Sequence, residues 1–172
     1  FGVNICEDIW QEHGPINKQA SFGAKLILNI NASPFHTGKT IEREKIVRGQ
    51  AKQNRIFICY TNLVGGQDEL VFDGQSLIAD NEGSAVAKAE AFQEDLLIAD
   101  LAIPEGKLAR SKKVITITDQ AVIKTRARLP KKDIKPLGPV ALDYQALALG
   151  LRDYVTKNGF KKVVIGLSGG ID

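Results

Sequence analysis

Lys25-Leu26-Ile27-Leu28-Asn29-Ile30-Asn31, then Ala32-Ser33-Pro34-Phe35-His36-Thr37-Gly38-Lys39, then a mostly polar run over 41–54, then Arg55-Ile56-Phe57-Ile58-Cys59-Tyr60-Thr61: this stretch decides the fold. Its two apolar ends are short and rich in β-branched and aromatic residues, as buried strands are. The run between them has helical length, with Thr40 able to cap it and Glu42 and Glu44 near its positive end. Cys59 reads as a core residue of its strand.

Working outward, residues 3–6 read as the end of a strand and Asp8-Ile9-Trp10 as a turn. Gly14-Pro15 opens a short helix over 16–23, since Pro is tolerated in a first turn. Beyond Gly65-Gly66, residues 70–72 read as a strand closed by Asp73-Gly74. Segments 75–80 and 84–89 flank Asn81-Glu82-Gly83, a hairpin signal, and 94–101 reads as a last strand. Alternating strands and helices followed by a strand meander predict the α/β class.

Residues 104–137 break the pattern with Pro104, Pro130 and Pro136. Gly138-Pro139 then opens an amphipathic helix with Val140, Tyr144, Leu147, Ala148, Leu151 and Val155 on one face, ended by Asn158-Gly159. Residues 163–167 read as a buried strand that starts a second α/β unit. The expected division is therefore 1–103, a connector over 104–137, and 138–172.

The chain has 172 residues, 44% hydrophobic and 25% charged, which excludes a disordered protein. No apolar run approaches the ~18 residues of a membrane span. Two distant cysteines give no disulfide framework, and a reducing, cytoplasmic compartment is expected. The net charge of +3 conceals an asymmetry: ten basic residues face three acidic ones between Pro104 and Lys135. That stretch suits nucleic acid, a phosphorylated ligand or simply solvent. It has no aromatic residue for base stacking, so no nucleic-acid partner is expected. The chain contains no Met, begins on strand-like residues and stops inside a Gly-Gly turn. Both ends are expected to continue in something longer.

Three places could carry chemistry. Cys6 sits where a strand meets a turn, which exposes a side chain on a fixed backbone. The neighbouring Glu7 and Asp8 disfavour a thiolate, so Cys6 is either a structural thiol or a nucleophile activated from distant sequence. Ser33 and Lys39 lie in a loop after a strand, where ligand contacts commonly sit. Ser168-Gly169-Gly170-Ile171-Asp172 after a strand can turn its N–H groups onto a phosphate, or be an incidental turn. It lacks the Gly-Lys-Ser/Thr ending of a Walker loop. His13 and His36 show no zinc-ligand spacing with the cysteines.

Taken together, the motifs resemble the glutamine-dependent NAD+ synthetase family. Asn4-Ile5-Cys6-Glu7-Asp8-Ile9-Trp10 resembles the nucleophile segment of its nitrilase-type glutaminase domain, and Asn31-Ala32-Ser33-Pro34-Phe35 its substrate loop. The stretch from Asn62 through Gly65-Gly66 to Asp73-Gly74 is similar to one typical of these enzymes. Leu167-Ser168-Gly169-Gly170-Ile171-Asp172 is similar to the pyrophosphate loop of ATP-pyrophosphatase domains.

The resemblance implies the C-terminal part of a nitrilase-type αββα sandwich, then the first helix and strand of a Rossmann-like ATP-pyrophosphatase domain. It implies Cys6 as the nucleophile on the glutamine amide, with Glu7 N–H helping to hold the oxyanion. Relatives supply a Glu base and a Lys from upstream sequence, so residues 1–172 alone are expected to be inactive. Ser33 and Lys39 would bind glutamine, although many relatives carry Arg at the latter position. Gly166, Leu167, Ser168, Gly169, Gly170, Ile171 and Asp172 would bind ATP, with Asp172 a Mg2+ ligand. Ammonia would then amidate deamido-NAD+ in a cytoplasmic homo-oligomer. A stand-alone nitrilase-type amidase or carbamoylase, and a non-catalytic scaffold, are the rival readings.

Overall fold

The computed structural model describes residues 1–104, 114–118, 120, 129 and 134–170; most of the basic stretch, and Ile171 and Asp172, lie outside them. Strand β1 (Gly2–Ile5) runs into a single 3-10 turn (Cys6–Ile9) and helix α1 (Pro15–Ser21). The stretch quoted first gives β2 (Leu26–Asn31), α2 (Lys39–Asn54) and β3 (Phe57–Asn62). Then come β4 (Val64–Gln67), β5 (Leu70–Asp73), β6 (Leu77–Ala79), β7 (Ala85–Lys88) and helix α3 (Pro139–Lys157). Five strands form one sheet in the order β1-β2-β3-β6-β7, while β4 and β5 form a separate hairpin. The first three strands are parallel; β6 and β7 are antiparallel to their neighbours.

Strand alternation sends Ile27, Asn29 and Asn31 of β2, and Ile58, Tyr60 and Asn62 of β3, to one face. Helices α1 and α2 cover that face, and Ile9, Ile16, Ile27, Val47, Ile58 and Tyr60 are among its buried core residues. Helix α2 packs there despite its polar sequence. Its buried residues Arg43, Val47, Gln50 and Ala51 recur at helical spacing, and two of the four are polar because they hold loops. Thr40 does not cap this helix: Gly38 does, at φ 87°, and the Thr40 hydroxyl donates to Asp73 instead.

The opposite face of the sheet carries Val3, Ile5 and Ile30 exposed. In a sandwich of the expected kind this apolar face is the one that meets a second sheet. Cys59 belongs to it, opposite the core: it pairs with Leu28 and Ile78 and is only half-buried.

Residues 94–104 form no strand, and 160–168, including the stretch expected as a buried strand, are exposed coil with Val164 97% accessible. A parallel strand exists only against hydrogen-bonded neighbours, and no described strand lies beside 163–167. Of the hairpin of β4 and β5 the sequence marks only the second strand, because Gly65-Gly66 reads as a break. The glycines serve a close approach: a Cβ on Gly66 would sit 3.0 Å from Cα of Gly150 in α3.

Helix α3 lies on that hairpin with a face the periodicity did not single out. Leu142, Ala146 and Leu149 pack with Phe92, Phe35, Val64 and Val71. The expected stripe occupies the other side: Val140, Tyr144, Leu147, Ala148 and Leu151 are exposed, and Val155 is half-buried. The seat is polar at one point. Gly66 N–H donates to Asp153 Oδ2 (2.8 Å), and Lys157 Nζ donates to Gly66 O (2.5 Å), so both polar groups of one residue are taken.

Asp153 titrates below its ordinary value. Burial opposes that shift, but the Gly66 N–H, Arg152 and Lys157 outweigh it. A carboxyl depressed on folding contributes stability above its unfolded pKa and loses it as pH falls through the folded one. Acidification below about pH 4 is therefore expected to loosen α3 from the hairpin. Urea unfolding at a series of pH values should show a steeper acid loss in the native protein than in Asp153→Asn; equal losses would refute the assignment.

Candidate active site

Cys6 follows directly on β1 and adopts φ 47°, a left-handed conformation costing a non-glycine residue roughly 1–2 kcal/mol. Two bonds fix the turn around it. Ile5 N–H donates to Asp8 Oδ2 (2.9 Å), and Trp10 N–H donates to Glu7 O (3.0 Å). Asp8, which looked hostile to a thiolate, thus has its carboxylate committed to shaping the bend. A sharp strand-to-helix turn of this kind lifts a side chain clear of the sheet, as nucleophile elbows do. It lies one residue past the Ile5–Ile30 pair, at the carboxyl ends of the parallel strands, where open α/β sheets bind ligands.

The Ser33 loop leaves β2 at the same edge. Ser33 is buried and gripped on both sides by one side chain: its N–H donates to Asn62 Oδ1 (2.8 Å), and Asn62 Nδ2 donates to Ser33 O (3.3 Å). Asn62 in turn reaches Asp73 Oδ1 and Gly74 O. Asp73 is 0% exposed and takes a two-pronged contact from Arg43, Nη2 to Oδ1 at 2.9 Å and Nη1 to Oδ2 at 3.2 Å. Thr40 and Gln75 complete its shell. One buried ion pair therefore ties α2, β3 and β5 together beneath the loop.

Lys39 begins α2, and its Nζ stands 3.7 Å from the centroid of the Trp10 ring, with Glu42 Oε2 at 3.5 Å. The contact draws the Lys39 cation onto the end of the Cys6 turn. Gln50 holds the same segment from below, donating to Ile9 O and Gln11 O. Under β1 and β2 runs a ladder of amides: Asn31 donates to Asn29 Oδ1, Asn29 to Asn4 Oδ1, and Asn4 to Gln19. Asn31 Oδ1 is buried with no hydrogen-bond partner among the described residues. Burial pushes the Tyr60 phenol up; Arg43 and Ser33 work against this, while Cys6 and Asp73 add to it. Burial likewise pushes the Cys59 thiol up, keeping it protonated and inert.

The structure thus brings Cys6, Ser33 and Lys39 to one edge of the sheet. Gly166, Leu167, Ser168, Gly169 and Gly170 are exposed, with a bend at the two last. A cavity of about 390 Å³ opens beside Asn31, Asn62, Gln75 and Asp95, without Cys6 in its lining. Among the described residues no group of three or more His, Cys, Asp or Glu could hold a metal, and no helix is long and apolar enough to cross a membrane.

Residues 1–111 match the family model described as carbon-nitrogen hydrolase. The chain belongs to the carbon-nitrogen hydrolase family. Residues 143–172 match a second model, NAD synthase. The chain is 42% identical to the glutamine-dependent NAD(+) synthetase of Aquifex aeolicus over 98% of its length, and 40% identical to that of Thermotoga maritima over 99%. It spans about a third of those relatives, 32% of each. A solved glutamine-dependent NAD+ synthetase from Acinetobacter baumannii, in complex with ADP, is similar over 94% of this chain and 27% of its own, with 31% identity and a TM-score of 0.72.

Sequence reasoning overlooked Asn62, Asp73 and Arg43 as the support of the Ser33 loop. A signal was present: Asn4, Asn29, Asn31 and Asn62 are polar residues on otherwise apolar strands, spaced to share one face. Buried amides must find partners, so such a pattern announces a network.

Proposed function

We propose that this chain is part of a glutamine-dependent NAD+ synthetase and carries the nucleophile of its glutaminase half. The observation that carries the reading is Cys6 at φ 47°, raised on a fixed bend at the strand ends beside the Ser33 loop and Lys39. Both family matches and the named relatives agree with it.

The Cys6 thiolate attacks the side-chain amide carbon of glutamine, and a tetrahedral intermediate forms with its oxyanion toward the Glu7 N–H. The C–N bond breaks, ammonia leaves with a proton from the general acid, and a γ-glutamyl thioester remains for water to cleave to glutamate. The activating carboxylate and a lysine belong to parts of the protein outside residues 1–172. Ser33 and Lys39 orient glutamine, the cation suiting its α-carboxylate.

Ammonia then amidates deamido-NAD+ after ATP has adenylated the carboxylate. Residues 166–172 are assigned to the ATP pyrophosphate loop. Ile171 and Asp172, the latter assigned as the Mg2+ ligand, lie outside the described residues. The reading includes a cytoplasmic homo-oligomer. Its test is the nitrogen source: the whole protein should make NAD+ from deamido-NAD+ and ATP with either glutamine or ammonium. Glutamine hydrolysis without NAD+ formation would make it an amidase, and neither reaction would make it a scaffold.

A further inference from the structure

Between Ser33 and Lys39 the chain has no regular structure, and yet it must hold both residues in place. Four anchors are visible. Asn62 grips Ser33, Phe35 N–H donates to Val71 O (2.7 Å), and Lys39 N–H donates to His36 O (2.9 Å). The fourth comes from far along the chain: Thr37 Oγ1 donates to Asp143 Oδ1 of α3 at 2.9 Å, across 106 residues. Phe35 leans the same way. Its ring meets Phe92 edge-on, with centroids 5.3 Å apart, within the apolar cluster that contains Ala146 and Leu149 of α3. Helix α3 itself cannot slide freely, because Asp153 and Lys157 hold Gly66 and the helix backbone abuts the Gly66 strand.

From this juxtaposition we infer that Thr37 and Asp143 are positioning residues for glutamine: α3, although it lies in the region matched to the NAD synthase model, sets the pose of the loop that presents Ser33 and Lys39. The inference rests on the glutaminase reading of the site. Neither residue touches the thiol or the scissile amide. Their bond selects one loop conformation, so its loss lowers the fraction of protein ready to bind glutamine and leaves the chemistry of the bound state alone.

The test uses the whole protein. Thr37→Val and Asp143→Ala should each raise the KM for glutamine about three- to tenfold, the range expected for one hydrogen bond. Both should leave kcat within about twofold of the parent and NAD+ synthesis from ammonium unchanged. The double variant should lose no more than either single one, because a shared bond is lost only once. Thr37→Ser, which keeps the hydroxyl, should retain the parent KM. A glutamine KM unmoved in both single variants, fully additive losses, or a fall in kcat at constant KM would overturn the inference. Should the unaltered protein turn over no glutamine, the reading of the site fails and the inference with it. Turnover by the unaltered protein with indifferent variants sinks the inference alone.

Discussion

Cys6→Ala in the whole protein is expected to reduce glutamine-driven NAD+ formation by a factor on the order of 10⁴ or more, with ammonium-driven formation preserved. On the proposed reading Cys6 is the covalent nucleophile, so its removal deletes the thioester route, and the described residues offer no substitute. The other thiol, Cys59, lies half-buried on the opposite face of the sheet with its ionisation suppressed by burial. The substitution should be gentle to the fold. Cys6 is only half-buried, and alanine carries the same kind of left-handed strain at φ 47°, so folding stability should shift by less than about 1 kcal/mol. Steady-state assays with each nitrogen source separate the two arms. If ammonium-driven synthesis disappeared as well, the division of labour between the thiol and the amidating site would be wrong.

Asp73→Ala should be the most destructive substitution for the fold. Asp73 is fully buried and balances Arg43, which is itself 1% exposed and whose Nε has no hydrogen-bond partner among the described residues. Truncation strands the guanidinium charge and also removes acceptors from Thr40, Gln75 and Asn62. Breaking a buried pair from one side costs roughly 3–5 kcal/mol, a large part of a domain's 5–15 kcal/mol. Because Asn62 joins this pair to the Ser33 backbone, glutamine binding should weaken in whatever fraction still folds. Denaturant unfolding measures the first effect. A change below about 1 kcal/mol would show that the pair does not hold the fold together.

What the sequence disclosed, and what it hid, follows from how far each signal reaches along the chain. The 25–61 stretch declared its strand–helix–strand order because β-branched runs and a helical length are local properties. Cys6 at a strand end was legible as a candidate for the same reason. Its left-handed backbone was not, since that depends on the bond from Ile5 N–H to Asp8. Helix α3 misled the reading of its faces. It is apolar on two sides, and periodicity ranks the broader stripe first, whereas the narrower one with Ala146, Leu149 and Gly150 fits against a glycine-lined strand. The Arg43–Asp73 pair was invisible because its partners stand 30 residues apart on different elements. A strand over 163–167 was expected from composition, but strand composition forms a strand only beside a partner.

The most direct measurement follows one atom. Glutamine carrying ¹⁵N in its side-chain amide is supplied to the whole protein with deamido-NAD+, ATP and Mg2+, and the product is examined by mass spectrometry. The account predicts that the label appears in the carboxamide of NAD+, and that it vanishes when Cys6 is replaced. NAD+ formed without the label, or labelled NAD+ formed as fast without the thiol, would contradict it.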